Sequence, residues 1–276
     1  MSALAYYNGT VTDLGKVRIP LSDRSVFFGD GVYEVMLAGK VKIYQQEQHL
    51  KRLRQGAERL GIPVPCELEA TINRLVRLSH FEKCSVYAQL SRSSDTRIHA
   101  PERENDPNLL ITVSEIELQH THVPILAKTA DDVRYRMCNV KTLNLLPSVL
   151  ASISAAKNGC DEAIFVRDGI VTEGAKSNLF IAKNGILYTH PNSSFILPGI
   201  TRENVLRLAR EIGIECREER FGTDYLYSAD EVFITSTTKL LRQVREIDGK
   251  TIGNGSFPLS SALGSLLYNE AICSIL

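Results

Sequence analysis

Apolar residues along this chain switch between a two-residue and a helical spacing, so the pattern predicts strands and helices in mixed order. The opening residues form short apolar runs around Asn8-Gly9, a dipeptide that tolerates positive φ in a tight turn, and predict a hairpin. From Gln46 to Leu60 the spacing lengthens. Leu50, Leu53, Ala57 and Leu60 share one helical face, and Gly61-Ile62-Pro63 ends the helix. Leu68 to Glu82 reads as a second amphipathic helix, and strands at Ser85–Arg92 and Leu109–Ile116 complete a first α+β unit.

The second half is denser in strands. Hairpin signals stand at Asp168-Gly169, Asn184-Gly185 and Asp248-Gly249, which predicts a mostly antiparallel sheet or barrel. A strand is expected from Val133 to Val140. Helices interrupt the pattern at Pro147–Asn158, at Thr201–Ile212 with Thr201 as N-cap, and near the carboxyl end. The polar stretch around Pro124 is the best place for a connection between domains, which gives residues 1–117, a linker at 118–128, and residues 129–276. The expected class is α+β, with two domains and no internal repeat.

Composition narrows the range of partners. The chain has 276 residues, 32 lysines and arginines against 32 aspartates and glutamates, and no block of either sign. Such a balance offers no footprint for nucleic acid or an anionic membrane, so the expected partner is a small molecule. No stretch reaches the length of a membrane span and no signal peptide is seen at the amino terminus, so a cytoplasmic location is expected. The six cysteines lack Cys-x-x-Cys spacing and read as free thiols. His120 and His122 fall in the expected linker and read as surface residues, so no metal is expected.

The candidate chemistry starts at Lys141. A lysine leaving a strand into apolar surroundings has its ammonium form disfavoured, and the neutral amine is the form that condenses with an aldehyde. Glu173, near the end of Ile170-Val-Thr-Glu-Gly174, could pair with a protonated ring nitrogen; the alternative is an ordinary glutamate at a strand end. Gly199, Ile200 and Thr201 open a helix where backbone amides favour an anion, and Thr235-Ser-Thr-Thr238 supplies four hydroxyl groups. Capping and a polar loop are the structural alternatives. Arg52 lies off the apolar stripe of its helix, which usually means a solvated face; a forked contact to a phosphate is the functional reading.

With these residues the chain resembles the fold type IV pyridoxal-phosphate enzymes, which include branched-chain aminotransferases, D-amino-acid aminotransferases and aminodeoxychorismate lyases. The resemblance runs over nearly the whole chain. It rests on Asp23-Arg24, Phe28-Gly-Asp-Gly-Val-Tyr-Glu34, His49-Leu-Lys-Arg-Leu53, Lys141-Thr-Leu-Asn144, Gly159-Cys-Asp-Glu-Ala-Ile164, Val171-Thr-Glu-Gly174 with Ser177-Asn178, Gly199-Ile-Thr-Arg202 and Thr235-Ser-Thr-Thr238. It implies a smaller amino-terminal α/β domain and a larger carboxyl-terminal domain with a barrel-like core. Pyridoxal 5'-phosphate would sit in the cleft between them, in a homodimer whose sites borrow a loop from the partner. Lys141 would be the Schiff-base lysine and general acid/base, and Glu173 the partner of the pyridine nitrogen. Arg52, Ile200, Thr201, Ser236 and Thr237 would hold the phosphate; Ser177 and Gly199 would line the cofactor, and Leu197 would pack under its ring.

Substrate contacts separate the branches of this family. Arg97 and His99 stand two apart, so an extended segment puts both on one face, where an arginine fork beside an imidazole suits a carboxylate. A loop with two solvated residues is the alternative. The resemblance implies that this Arg-x-His pair and Tyr33 bind the substrate α-carboxylate, as in D-amino-acid aminotransferases. Ala175, Lys176 and Pro147 depart from that branch. The expected activity is transamination of D-amino acids such as D-alanine, with 2-oxoglutarate or pyruvate as acceptor. Aminodeoxychorismate lyase is the nearest alternative and a branched-chain L-transaminase the next; a cofactor-free interaction protein is the reading from another class.

Overall fold

The computed structural model describes residues 3–101, 106–120 and 123–276, so His122 lies outside the described residues. The chain forms two compact units, one of residues 1–118, 140–144 and 271–276, the other of residues 119–139 and 145–270. Two short segments distant in sequence thus belong to the first unit. One of them carries Lys141.

The first unit is built on a five-stranded antiparallel sheet. Its elements are β1 (Leu4–Tyr7), β2 (Thr10–Asp13), α1 (Arg24–Phe28), β3 (Gly31–Gly39), α2 (Gln46–Arg59), α3 (Leu68–Ser79), β4 (Lys83–Ser91) and β5 (Asn108–Glu115), with strand order β2-β1-β5-β4-β3. Asn8 and Gly9 both take positive φ, as the β1–β2 turn requires. One face of the sheet is closed by the apolar sides of α2 and α3, where Leu50, Leu53, Leu68, Ile72 and Leu75 pack on Met36, Val86, Ala88 and Ile111. At about 25 cal/mol per Å² of buried apolar surface, this side-chain layer supplies the main driving force for the unit.

The second unit contains β6 (Ile125–Asp131), α4 (Leu146–Lys157), β7 (Glu162–Arg167), β8 (Ile170–Gly174), β9 (Asn178–Lys183), β10 (Ile186–Thr189), α5 (Ile200–Glu211), β11 (Cys216–Glu218), α6 (Thr223–Tyr227), β12 (Glu231–Ser236), β13 (Leu240–Ile247), β14 (Lys250–Thr251) and all but the last turn of α7 (Pro258–Ile275). The strand order is β11-β10-β9-β12-β13-β6-β7-β8, with β14 on β13. Three of the pairings are parallel and the others antiparallel. An isolated bridge between Ile170 and Gly222 joins the β8 edge to the chain that follows β11, so the sheet curls back on itself. Its interior is filled by Ile164, Leu179, Ile181, Val232 and Val244. The three expected hairpin dipeptides all take paired positive φ values.

Several expected boundaries differ. No strand forms from Val133 to Val140: β6 already has β13 and β7 as neighbours, Asp132 makes the last backbone bond to Val166, and the chain then breaks into turns. Val133 and Tyr135 face solvent while Arg134 turns inward, so the alternation reflects a polar anchor instead of a sheet. Residues 125–128 of the expected linker lie in β6. In α5 the N-cap is Gly199, with Thr201 buried inside the first turn.

Candidate active site

Lys141 enters the first unit beside β3. Its carbonyl accepts from Tyr33 N at 3.0 Å, Thr142 bridges Val32, and Leu143 N donates to Gly31 O at 3.1 Å. This pairing needs a bare backbone at Gly31, where a Cβ would lie 2.4 Å from Leu90 O. The Lys141 Nζ stands 4.3 Å from the Tyr33 ring centroid. Tyr33 leans on Tyr87 at 5.4 Å, and the Tyr87 hydroxyl donates to Gln89 Oε1 at 2.7 Å.

Next along β3 is Glu34, fully buried and matched by two residues of α2. Arg52 donates to its carboxylate through Nε at 2.6 Å and Nη2 at 2.9 Å, and His49 Nδ1 lies 2.7 Å from Oε2. His49 and Arg52 are three apart, so they share a helix face. Burial alone would raise the Glu34 pKa, but the Arg52 charge and the bonds from His49 and Arg52 hold it down to about 2. The same burial lowers the His49 pKa against the pull of Glu34, so a neutral imidazole donates from Nδ1 to an ionised carboxylate. Arg52 therefore does not lie on a solvated face; its side chain is 13 % exposed and its fork grips a carboxylate.

Arg97 and His99 meet at Phe28, still within the first unit. The Arg97 guanidinium carbon is 5.7 Å from the ring centroid and the His99 ring 5.4 Å away, with both residues exposed. The two side chains thus share one neighbour, although the segment is not a strand.

In the second unit Glu173 is 5 % exposed at the end of β8. Its Oε1 accepts from Arg134; its Oε2 accepts from Asn178 Nδ2 and from Leu197 N, both at 3.0 Å. Burial pushes its pKa up to about 7 in spite of Arg134. Arg134 is itself clamped by Asp132, which receives Nε and Nη2 at 2.9 Å each. Asn178 is the junction of this half: it donates to Glu173 and to Leu197 O, pairs across the sheet with Thr235, and approaches Gly199 so closely that a Cβ there would lie 1.9 Å from Oδ1. Ser177 instead donates to the buried Glu162 at 2.9 Å.

Glu173, Leu197 and Gly199 therefore converge on Asn178, while Ile200 and Thr201 begin α5. No side chain caps that helix start, so its first amides remain available to an anion. Ser236 and Thr237 are half-buried at the end of β12, and the buried Thr235 Oγ1 has no hydrogen-bond partner. A buried carboxylate with a raised pKa, an uncapped helix start and an unsatisfied hydroxyl fit a phosphorylated ring with a basic nitrogen. Glu34, His49 and Asn178 enter the sequence reading only as parts of motifs, and Asp132 and Arg134 are not singled out there as site residues. The Asp132-x-Arg134 alternation was their one local signal. His120 packs edge-on against Tyr268 at 4.8 Å.

A family profile described as amino-transferase class IV matches residues 31–247. The chain is 36 % identical to a D-alanine aminotransferase of Bacillus licheniformis over 272 residues, 96 % of each chain. It is 32 % identical to a D-alanine aminotransferase of Staphylococcus aureus (strain N315) over 256 residues, 91 % of each. Among solved structures it is similar to the branched-chain aminotransferase of the thermophilic archaeon Thermoproteus uzoniensis with norvaline, with a TM-score of 0.87 and 26 % identity, covering 96 % of this chain and 93 % of that one. A second solved branched-chain amino acid aminotransferase, complexed with N-(5'-phosphopyridoxyl)-L-glutamate, has a TM-score of 0.90 and 26 % identity, covering 100 % of this chain and 96 % of that one.

Proposed function

This chain belongs to the class IV aminotransferases, and from that premise we propose that it is a pyridoxal-phosphate-dependent transaminase of D-amino acids. The observation that carries the substrate assignment is the meeting of Arg97 and His99 at Phe28, in a chain whose relatives include D-alanine aminotransferases. A D-alanine-like donor and 2-oxoglutarate or pyruvate as acceptor fit this reading.

Pyridoxal phosphate, when bound, supplies an aldehyde that takes an amine and a ring that withdraws electrons as the α-proton leaves. Lys141 would anchor the cofactor through its Nζ and, with that amine free, would carry the α-proton on the same atom. Glu173 would hold the ring nitrogen, with Arg134, Asn178 and the Leu197 amide fixing its carboxylate and Ser177 nearby in the chain. Arg52, Gly199, Ile200, Thr201, Ser236 and Thr237 are assigned to the phosphate. Tyr33, Arg97 and His99 are assigned to the substrate, with the carboxylate fork serving the neighbouring protomer of a homodimer. The six free cysteines suit a reducing cytoplasm, and among the described residues no helix is long and apolar enough to cross a membrane.

The test follows the cofactor absorption of the holoenzyme during single half-reactions with D-alanine, L-leucine and aminodeoxychorismate. D-alanine is expected to bleach the band fastest. Rapid conversion by L-leucine without D-alanine would move the chain to the branched-chain activity of its structural neighbours, and pyruvate released from aminodeoxychorismate would make it a lyase.

A further inference from the structure

We infer that Arg24 is a positioning residue for the substrate carboxylate, because it sets the backbone that carries Arg97 and His99. The inference rests on the carboxylate role given to that pair above.

Arg24 is a charged residue only 3 % exposed, and burying a guanidinium is costly unless its donors are matched. Three of its donors have defined acceptors. Nη1 donates to Ile98 O at 2.6 Å and Nη2 to His99 O at 2.9 Å, so one planar fork spans two successive carbonyls of the Arg97–His99 segment. Nε donates to Asp30 Oδ2 at 2.8 Å, and its guanidinium carbon lies 4.8 Å from the centroid of the same Phe28 ring that Arg97 and His99 approach. Asp30 is held in turn by Arg92, through Nε at 2.9 Å and Nη2 at 3.1 Å.

The backbone of Arg24 is equally fixed. Its N–H donates to Ser93 O at 3.1 Å, and the preceding Asp23 caps α1 through Ser25 N while accepting from Ser91 Oγ and Tyr7 Oη. The segment it anchors has little regular structure of its own: residues 95–101 form no helix or strand. Its own backbone closes one short bond across Arg97, from Ile98 N to Thr96 O at 2.8 Å, and the Arg24 fork then ties the Ile98 and His99 carbonyls that follow, on either side of the His99 side chain. An ammonium is a point charge on a flexible stem, whereas the planar guanidinium offers each carbonyl its own nitrogen in a fixed geometry, so the fork adds orientation to the charge.

The experiment compares wild-type holoenzyme with Arg24→Lys, Arg24→Met and Arg97→Ala. It measures kcat and KM for D-alanine, the dissociation constant of propionate by calorimetry, bound cofactor and thermal midpoint. Arg24→Lys keeps the charge beside Asp30 and guards against loss of folding. Both Arg24 variants are expected to raise the D-alanine KM and the propionate dissociation constant in parallel, by about tenfold, with kcat and cofactor content close to wild type. If Arg97→Ala weakens propionate binding and folded Arg24→Lys does not, the inference is overturned and the carboxylate reading stands. If Arg97→Ala itself leaves propionate binding unchanged, the carboxylate reading falls and the inference with it.

Discussion

Glu34 is a buried carboxylate whose neighbours decide its charge. Desolvation alone would favour its neutral form, yet Arg52 and the His49 donor keep it ionised down to about pH 2. A carboxyl depressed from an unfolded value of 4.5 contributes stability that is fully present above 4.5 and is lost as pH falls toward about 2. Glu34→Gln removes that contribution and leaves the buried Arg52 facing an amide, a change that costs on the order of 3–5 kcal/mol near neutral pH. Urea unfolding of wild type and variant is expected to show a gap that is wide near neutral pH and narrows toward pH 2. An equal gap at both ends would show that Glu34 is not the titrating group. Neither the buried carboxylate nor its partners could be read from their own spacing, because Glu34 and Arg52 are 18 residues apart and meet only when β3 and α2 pack. Lys141, Glu173 and the residues proposed for the phosphate stand out by type and order; the partners that surround them in the fold depend on tertiary contact.

Elements were legible wherever local chemistry settles the backbone. The four dipeptides expected as hairpin turns, at Asn8-Gly9, Asp168-Gly169, Asn184-Gly185 and Asp248-Gly249, adopt the positive φ values that their residues favour, and α2 and α3 follow their apolar stripes. Local pattern failed at Val133–Val140, where a buried Arg134 mimics strand alternation, and at α5, where space decides the cap. Gly199 has a φ of −71°, which any residue tolerates, so its requirement is steric. An added Cβ would stand 1.9 Å from Asn178 Oδ1 and 3.3 Å from Arg202 Cβ, and the Asn178 amide is tied to Glu173 and Leu197 O. The start of α5 must therefore shift away from the junction. Gly199→Ala is expected to weaken pyridoxal phosphate binding by about tenfold or more while leaving the helix content intact, since anion affinity at a helix start depends on where its amides point. Equilibrium dialysis with circular dichroism checks this; unchanged cofactor affinity would separate Gly199 from the phosphate.

At the scale of the whole molecule, α4 has its large apolar residues on the wrong side for a solitary chain. Ala151 and Ala155 face inward to Ala163 and Phe165, whereas Leu146, Val149, Leu150 and Ile153 are 67, 46, 57 and 46 % exposed. Their spacing places them on one helix face, a contiguous apolar stripe of the kind that marks an interaction surface. The hydropathy pattern predicted the helix but could not say which face the fold would bury, because small and large apolar residues both score as core. A second copy of the chain is the occupant that agrees with the proposed homodimer, and a two-fold contact would set the same stripe against itself. Leu146→Glu with Leu150→Glu places charges on that stripe without touching the alanine face, so the fold is expected to survive with a thermal midpoint near that of a monomeric unit. Sedimentation at micromolar concentration is expected to show monomer, and D-alanine turnover is expected to fall because Arg97 and His99 are then withheld from the neighbouring site. Retention of a wild-type dimer by the folded variant would move the interface away from α4, whereas a monomer with undiminished turnover would show that each protomer completes its own carboxylate site.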